Sequence, residues 1–167
     1  MSSAKEVVIK SIDEIESLLA RAYWLEEEFE GVTQWEAYTS VEDKYKELLF
    51  RLSHESEGHK ESLKKLISNV EGLDMDAIKQ NSQARNEIKF KKHTEDVEIL
   101  YEVYENDQLA LDLYQKIHSM TSHEFVEEVW NGDDPEEFFE ILSDIIKEEK
   151  EHINALGQYA QKLGRVK

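Results

Sequence analysis

The sequence predicts an all-α fold in which four long helices form a bundle. The chain of 167 residues contains only one Pro and six Gly, while Glu, Lys, Leu and Ile are abundant, a composition typical of long helices. Apolar residues recur at spacings of three and four along most of the chain, which is the periodicity of one helix face. The length fits one domain with its own core, so we expect residues 1–167 to form a single unit.

The first predicted helix covers about residues 4–30. Ser3 and Glu6 have the spacing of a capping box at its start, and Gly31 suits the position just past its end. An acid, Glu16, lies beside Ile15 on the apolar stripe of this helix, where a hydrophobic side chain is the usual occupant.

The second predicted helix covers about residues 40–70, and Ser40 can cap it. Its apolar stripe is interrupted by Glu55, Ser56 and His59. The crossover that follows, about residues 71–93, is long enough to run from one end of a bundle to the other.

The third predicted helix covers about residues 94–121. Thr94 marks its start, and Asp107 lies in the middle of its apolar stripe although Asp is a poor helix former. Within the crossover before it, Asp74 can cap a short helix through Ile78.

The fourth predicted helix covers about residues 135–163, and Asp134 followed by Pro135 is its start signal. Glu149 and His152 lie on its apolar face, between isoleucines and a leucine at helical spacing. Burying such groups is costly unless something compensates, and metal coordination is one common compensation.

The two halves of the chain repeat this arrangement. On the first and third helices an acid is followed seven residues later by a tyrosine, in the pairs Glu16–Tyr23 and Asp107–Tyr114. On the second and fourth helices a histidine follows a polar residue by three, in Ser56–His59 and Glu149–His152. We therefore expect two similar helix pairs.

Antiparallel packing predicts which of these residues share a level of the core, because residues at one level are equally far from the connecting loop. The midpoint of Glu16 and Ser56 is position 36, inside the predicted loop 31–39. The midpoint of Asp107 and Glu149 is position 128, between the third and fourth helices. Glu26 also lies near the first stripe, but its midpoint with Ser56 is position 41, so we prefer Glu16.

This pattern resembles the ferritin-like di-iron carboxylate proteins, the rubrerythrin type especially, across about residues 5–163. In that family, a Glu from each of two helices and a Glu-x-x-His from each of two others hold two metal ions. The resemblance implies that the metal ligands of this chain are Glu16, His59, Asp107, Glu149 and His152.

Two positions depart from the family pattern. Ser56 stands where the pattern has a bridging Glu, and Asp107 is a shorter acid than the usual Glu. Glu55 lies four residues before His59 on the same face and could replace the missing ligand. Three outcomes stay open: a dinuclear site that uses Glu55, a one-metal site centred on the Glu-x-x-His of the fourth helix, or no metal.

The resemblance implies an oxidoreductase that oxidises ferrous iron with oxygen or peroxide. The cofactor would be iron, as two ions in an intact site, with a single metal, manganese or zinc as alternatives. Tyr23 and Tyr114 would donate hydrogen bonds to ligands or simply pack in the core, and Ser56 would lie beside the ligands. With no cysteine for a rubredoxin-type centre, electrons would come from an external donor or from ferrous iron itself.

A second hypothesis is a metal-free bundle that acts as an interaction or structural protein, and a third is an unrelated helical adaptor. Trp24 and Trp35 near helix ends, together with the helix faces, favour a homodimer. The formal net charge of −18 repels nucleic acid and anionic membranes and attracts cations. Without cysteine, and without any uncharged run near 18 residues, we expect a soluble cytoplasmic protein.

Overall fold

The computed structural model describes residues 8–27, 37–39, 41–83 and 96–162, and its fold is all-α. Apart from one helical turn at residues 37–39, the helices of this part of the chain are α1 (Ile12–Trp24), α2 (Asp43–Ser68), α3 (Met75–Gln83), α4 (Asp96–Met120), α5 (His123–Val129) and α6 (Glu136–Lys162). The predicted features at Ser3, Glu6, Gly31, Trp35, Ser40 and Thr94 lie outside the described residues. None of the described helices combines the length and the apolar character that a membrane span requires.

The first helix begins at Ile12, several residues later than predicted. Ser11 caps it: the Glu14 amide donates to Ser11 Oγ at 3.3 Å, and the Ser11 hydroxyl donates to Glu14 Oε1 at 3.0 Å. This reciprocal pair has the Ser-x-x-Glu spacing of a capping box. The sequence therefore contains a second box, and the helix starts at that one.

Two isolated β-bridges join segments at the ends of the helices. Ile9, which precedes α1 in extended backbone, pairs with Thr121 between α4 and α5. Val70, just after α2, pairs with Trp130 between α5 and α6. These two bridges join the start of α1 and the end of α2 to the segment that links α4 with α6.

The crossover contains the short helix predicted from Asp74. The Asp76 amide donates to Asp74 Oδ1 at 3.0 Å, and the helix continues to Gln83. Ile78 is buried in the larger apolar cluster, and α3 packs mainly against α1. Residues 84–95 of the predicted crossover lie outside the described part of the chain.

The segment between the third and fourth long helices is not the plain loop that the sequence suggested. It contains α5, which Ser122 caps by accepting a hydrogen bond from the Phe125 amide at 3.3 Å. Phe125 and Val126 are buried, so this short amphipathic helix covers the end of the core. The start of α6 is as predicted, since the Glu136 amide donates to Asp134 Oδ1 at 3.0 Å.

The long helices α1, α2, α4 and α6 are compatible with a four-helix bundle. The most extensive helix–helix packing is between α4 and α6, and α2 also packs against α6. Their buried apolar side chains form two separate clusters, one of which contains Ile145 of α6 while the other contains Leu156. Glu149 and His152 lie between these two residues on α6. A polar layer therefore separates the two apolar clusters.

Candidate metal centre

The polar layer collects buried acids and imidazoles from α2, α4, α6 and the helical turn that follows α1. Each of these side chains takes an apolar position on the buried face of its helical segment, next to residues of the apolar clusters. They are Glu26, His59, Asp107, Glu149 and His152. The last four of these are among the ligands that the resemblance implies, and the structure brings them together in this layer.

The acid that the first helical segment contributes is Glu26, just past the end of α1, and not Glu16, which the midpoints favour. Glu16 is half-buried at the surface, where the side-chain amide of Asn81 donates to Glu16 Oε1 at 3.4 Å. Glu26 is fully buried in the π-helical turn at residues 25–27, and its Oε1 lies 3.4 Å from His59 Nδ1. Widened turns of this kind occur often at functional sites.

The midpoints assume that residues 31–39 are a loop, but residues 37–39 of this stretch form a helical turn. Ala37 and Val41 are buried with Tyr45 and Leu49 in the smaller apolar cluster. The described residues between α1 and α2 therefore contribute to the core.

One group of potential ligands consists of Glu26, His59 and Glu149, which offer ligand atoms within 4.8 Å of one another. Glu149 Oε1 lies 3.0 Å from His59 Nδ1. The Tyr114 hydroxyl donates a 2.6 Å hydrogen bond to Glu26 Oε1, which fixes that carboxylate. Tyr114 therefore bonds to a buried acid of the cluster, and that acid is Glu26, which the midpoints disfavour.

A second group consists of Asp107, Glu149 and His152, whose ligand atoms also lie within 4.8 Å of one another. His152 Nδ1 lies 3.9 Å from Glu149 Oε2 and 4.0 Å from Asp107 Oδ2. All three side chains are fully buried.

Glu149 belongs to both groups and faces each with a different oxygen. Neither of its oxygens, nor His152 Nδ1, makes a hydrogen bond of acceptable geometry among the described residues. Ligand atoms about 2.0–2.2 Å from one cation are roughly 3.0–4.3 Å apart, a range that matches the distances above. Buried polar atoms that converge without hydrogen bonds require a compensating partner. The Glu/His cluster can therefore hold a metal ion.

Glu55, predicted as a replacement ligand, belongs to neither group. Its carboxylate contacts His152 Nε2, the ring nitrogen opposite the one that faces the cluster. Glu148 Oε2 likewise lies 3.6 Å from His59 Nε2. A carboxylate on the outer nitrogen favours a proton there and leaves Nδ1 as a lone-pair donor, the usual arrangement behind metal-binding histidines.

Ser56 and Tyr23 differ in their relation to the cluster. Ser56 is only 1% exposed and lies on the same buried stripe as His59. Tyr23 does not bond to a cluster residue: its hydroxyl donates to Glu27 Oε1 at 2.9 Å. Burial is the main cause that raises the pKa of Tyr23, and the hydrogen bond to Glu27 raises it further. The predicted hydrogen bond from Tyr23 to a ligand is therefore not made in this structure.

Charge crowding changes the proton affinity of the cluster. Burial raises the pKa of Glu149 from 4.5 to about 7, and the nearby Asp107 carboxylate adds to this effect. The pKa of Glu148 is lowered, chiefly by its hydrogen bond with His59. Glu149 can thus hold a proton near neutral pH in the metal-free protein.

The sequence contains helical-spacing signals for Glu26 and for Glu148, neither of which is among the ligands that the resemblance implies. Ile15, Leu19, Ala22 and Glu26 are spaced by four, three and four, the same steps that identify the buried face of α6. Glu148 lies four residues before His152, as Glu55 lies four residues before His59. Each of these two carboxylates therefore has the same spacing from the histidine on its own helix.

Comparison with known proteins identifies no relative. No protein-family model matches the chain, and neither the curated proteins nor the solved structures contain a match. The assignment of the cluster therefore depends on its own geometry, which is that of a buried carboxylate–histidine site able to bind a metal.

Proposed function

We propose that this protein binds two divalent metal ions in the polar layer and acts as a non-haem iron oxidoreductase. The observation that carries this proposal is the position of Glu149. One of its oxygens lies beside His59 and the other beside His152, as expected of a carboxylate that bridges two ions. Each ion would have one imidazole, one carboxylate of its own and a share of Glu149.

The ligand types favour iron, with manganese and zinc as competitors. Carboxylate oxygens and imidazole nitrogens suit these ions, and the chain has no cysteine with which to form a thiolate site. Three protein ligands for each ion leave coordination positions open for an oxidant. Bound iron would supply electron transfer to oxygen or peroxide, the chemistry that the resemblance to rubrerythrin-type proteins implies.

The residues around the cluster have separate tasks in this proposal. Glu26, Asp107 and Glu149 balance most of the positive charge. Glu55 and Glu148 orient the imidazoles and hold their outer protons. The apolar clusters on either side limit access of bulk water, which strengthens electrostatic interactions within the layer.

Metal loading tests the proposal. Protein stripped with a chelator should bind about two equivalents of ferrous iron under nitrogen, and its melting temperature should rise, because a ligand specific to the folded state stabilises it. Admission of oxygen should then produce the near-ultraviolet absorbance of ferric carboxylate species. Glu151→Gln, a change of an exposed acid on the same helix, is the control and should behave as the wild type.

One result would contradict the metal centre, and another would contradict only the oxidoreductase function. No iron, manganese or zinc bound above background, with an unshifted melting temperature, would exclude a metal centre. Bound iron that stays ferrous in air and in peroxide would leave a metal site but exclude the oxidoreductase function.

One observation favours a metal-free bundle as the second candidate. With a pKa raised to about 7, Glu149 can be protonated, and the contacts of His59 with Glu148 and of His152 with Glu55 need no metal. Such a protein would serve as an interaction or structural domain. It would melt at the same temperature with and without added iron, the opposite of the result expected for the metal centre.

A further inference from the structure

An open pocket of about 490 Å³ lies at the surface between α4 and α6. Its volume falls in the range of roughly 300–1,000 Å³ that is usual for small-molecule sites. Its polar lining residues are Gln115, His118 and Ser119 of α4 and Ser143, Lys147 and Lys150 of α6. None of them belongs to the two groups of potential metal ligands. The pocket therefore uses side chains that the proposed metal centre does not.

The pocket is rich in hydrogen-bond donors. Each of its polar side chains has at least one N–H or O–H group, and two of them are ammonium groups. No carboxylate occurs among the lining residues that the structure describes, although the chain has 38 acidic residues. Two other surface pockets do contain acids, Asp13 and Glu16 in one and Glu47 in the other. A lining of donors without acceptor carboxylates fits an anion.

Helical spacing explains how an acidic chain forms a basic pocket. Lys147 and Lys150 are three residues apart, so they lie on one face of α6. Glu148 and Glu151 repeat this spacing one residue later, which places them on the adjacent face. The acids of this stretch are therefore turned away from the face that lines the pocket.

The two lysines of the pocket have no ion-pair partner within the part of the chain that the structure describes. The nearby Lys116 differs, since its Nζ lies 2.9 Å from Asp112 Oδ2 on α4. Asp112 is three residues before Gln115, on the same face of α4, and its charge is balanced by this pair. An oxyanion in the pocket would give Lys147 and Lys150 the charge-assisted hydrogen bonds that Lys116 already has.

One donor of the pocket is held in place before any ligand binds. His118 is half-buried, and its Nε2 lies 3.1 Å from Ser143 Oγ. Its ring also meets the Phe139 ring edge-on, with centroids 5.7 Å apart. These contacts fix the imidazole between α4 and α6, which lowers the entropy lost on binding.

The net charge of −18 opposes anions mainly at long range. At physiological salt, exposed charges farther apart than on the order of 8 Å are largely screened from each other. A bound anion would contact the ammonium groups directly. Its affinity therefore depends on the residues that line the pocket more than on remote acids.

We propose that the pocket between α4 and α6 binds a small organic phosphate, whose phosphate group is held by Lys147 and Lys150. A phosphate monoester carries roughly 1.5–2 negative charges at pH 7, which matches two ammonium groups. The pocket is much larger than a phosphate ion, so its ligand has an organic part as well. Ile146 and the methylene stems of the lysines offer apolar surface for that part. This site is independent of the proposed metal centre.

Calorimetric titration of the metal-free wild-type protein with phenyl phosphate tests the site, at a salt concentration of about 0.15 M. Metal is removed because phosphates also bind metal ions. Phenyl phosphate should bind saturably at one equivalent, and inorganic phosphate should bind more weakly because it lacks the apolar part. Benzyl alcohol, which has the ring without the phosphate, should not bind at the same concentrations.

Variants connect this binding with the pocket. Lys147→Gln combined with Lys150→Gln should lower the affinity for phenyl phosphate by about tenfold or more, because both charge-assisted contacts are lost. Lys116→Gln removes a positive charge from the neighbouring surface of α4 but not from the pocket, so its affinity should equal that of the wild type. Amide chemical shifts should change on titration chiefly within residues 115–119 and 143–150.

Three outcomes would overturn the phosphate site. The first is no saturable binding of phenyl phosphate, or wild-type affinity in the double lysine variant. The second is an equal loss of affinity in Lys116→Gln, which would indicate general attraction to positive charge. The third is inorganic phosphate that binds as tightly as phenyl phosphate, which would exclude an organic ligand. All measurements are made without metal, so they stand whether or not the metal centre is confirmed.

Discussion

The imidazole rings of His59 and His152 lie one above the other between α2 and α6, with ring centroids 5.9 Å apart and an interplanar angle of 27°. Each ring turns Nδ1 towards Glu149 and Nε2 towards a carboxylate from the opposite helix. This arrangement gives distinct roles to inner and outer acids, and those roles can be separated by mutation.

Glu149→Gln should abolish metal binding and stabilise the metal-free protein. The glutamine removes a buried charge near Asp107, so at pH 8 we expect the free energy of unfolding to rise by on the order of 1–3 kcal/mol. Urea denaturation with and without manganese measures both effects. Retention of tight manganese binding by Glu149→Gln would contradict the bridging role.

Stability should depend on pH in opposite directions without and with metal. The pKa of Glu149 is raised from 4.5 to about 7 on folding, so the folded metal-free protein binds this proton more tightly than the unfolded chain does. Its stability should therefore fall as pH rises from 4.5 to 7, by on the order of 2–3 kcal/mol, and then level off. Metal binding needs the deprotonated carboxylate, so the stabilisation by manganese should grow over the same interval.

Thermal melts from pH 5 to pH 8 check this prediction. Glu149→Gln is the control, since it should lose this contribution to the slope of the metal-free protein. A metal-free wild-type protein with the same pH slope as Glu149→Gln would contradict the assignment of the titration to Glu149.

Glu26→Gln and Glu16→Gln form a matched pair on the first helical segment. Glu26 lies 3.4 Å from His59 Nδ1, so its change should lower bound metal from about two equivalents to about one. Glu16 is half-buried at the surface beside Asn81, and its change should leave metal content and affinity as in the wild type. Metal analysis after gel filtration distinguishes them. Loss of metal in Glu16→Gln with none in Glu26→Gln would restore the assignment first made from the sequence.

Glu55→Gln and Glu148→Gln should weaken metal binding without abolishing it. Each removes a carboxylate that orients an imidazole from its outer nitrogen, an effect that typically costs 10–100-fold in metal affinity. Competition with a chelating dye measures the change, while circular dichroism verifies the helical fold. Complete loss of one metal equivalent in Glu55→Gln would instead make Glu55 a direct ligand.

The sequence was sufficient to predict the burial of residues whose position depends on the periodicity of one helix. Glu149 and His152 replace apolar residues between Ile145 and Leu156, so the 3.6-residue period alone predicts their burial, and the structure places them there. The start of α6 at Asp134 was predictable for the same local reason.

Residues whose assignment depends on two helices were harder to predict. The helical spacing of α1 was a local signal for Glu26, whereas the midpoints that favour Glu16 assume a simple loop, and Ala37 and Val41 between α1 and α2 enter the core. Glu55 lies on the correct face of α2, but its pairing with His152 depends on how α2 and α6 approach each other. The helical stripe identifies which side chains are buried, and helix packing determines the atoms they meet.

The dominance of the α4–α6 packing has a consequence for the order in which the centre forms. Asp107, Glu149 and His152 all come from these two helices, so one of the two ligand groups can assemble within α4 and α6 alone. Glu26 and His59 join only when α1 and α2 dock. In the proposed two-ion centre, local opening of the α1 segment would therefore release one metal ion and keep the other, and metal loading should slow amide hydrogen exchange in α1 more than in α6.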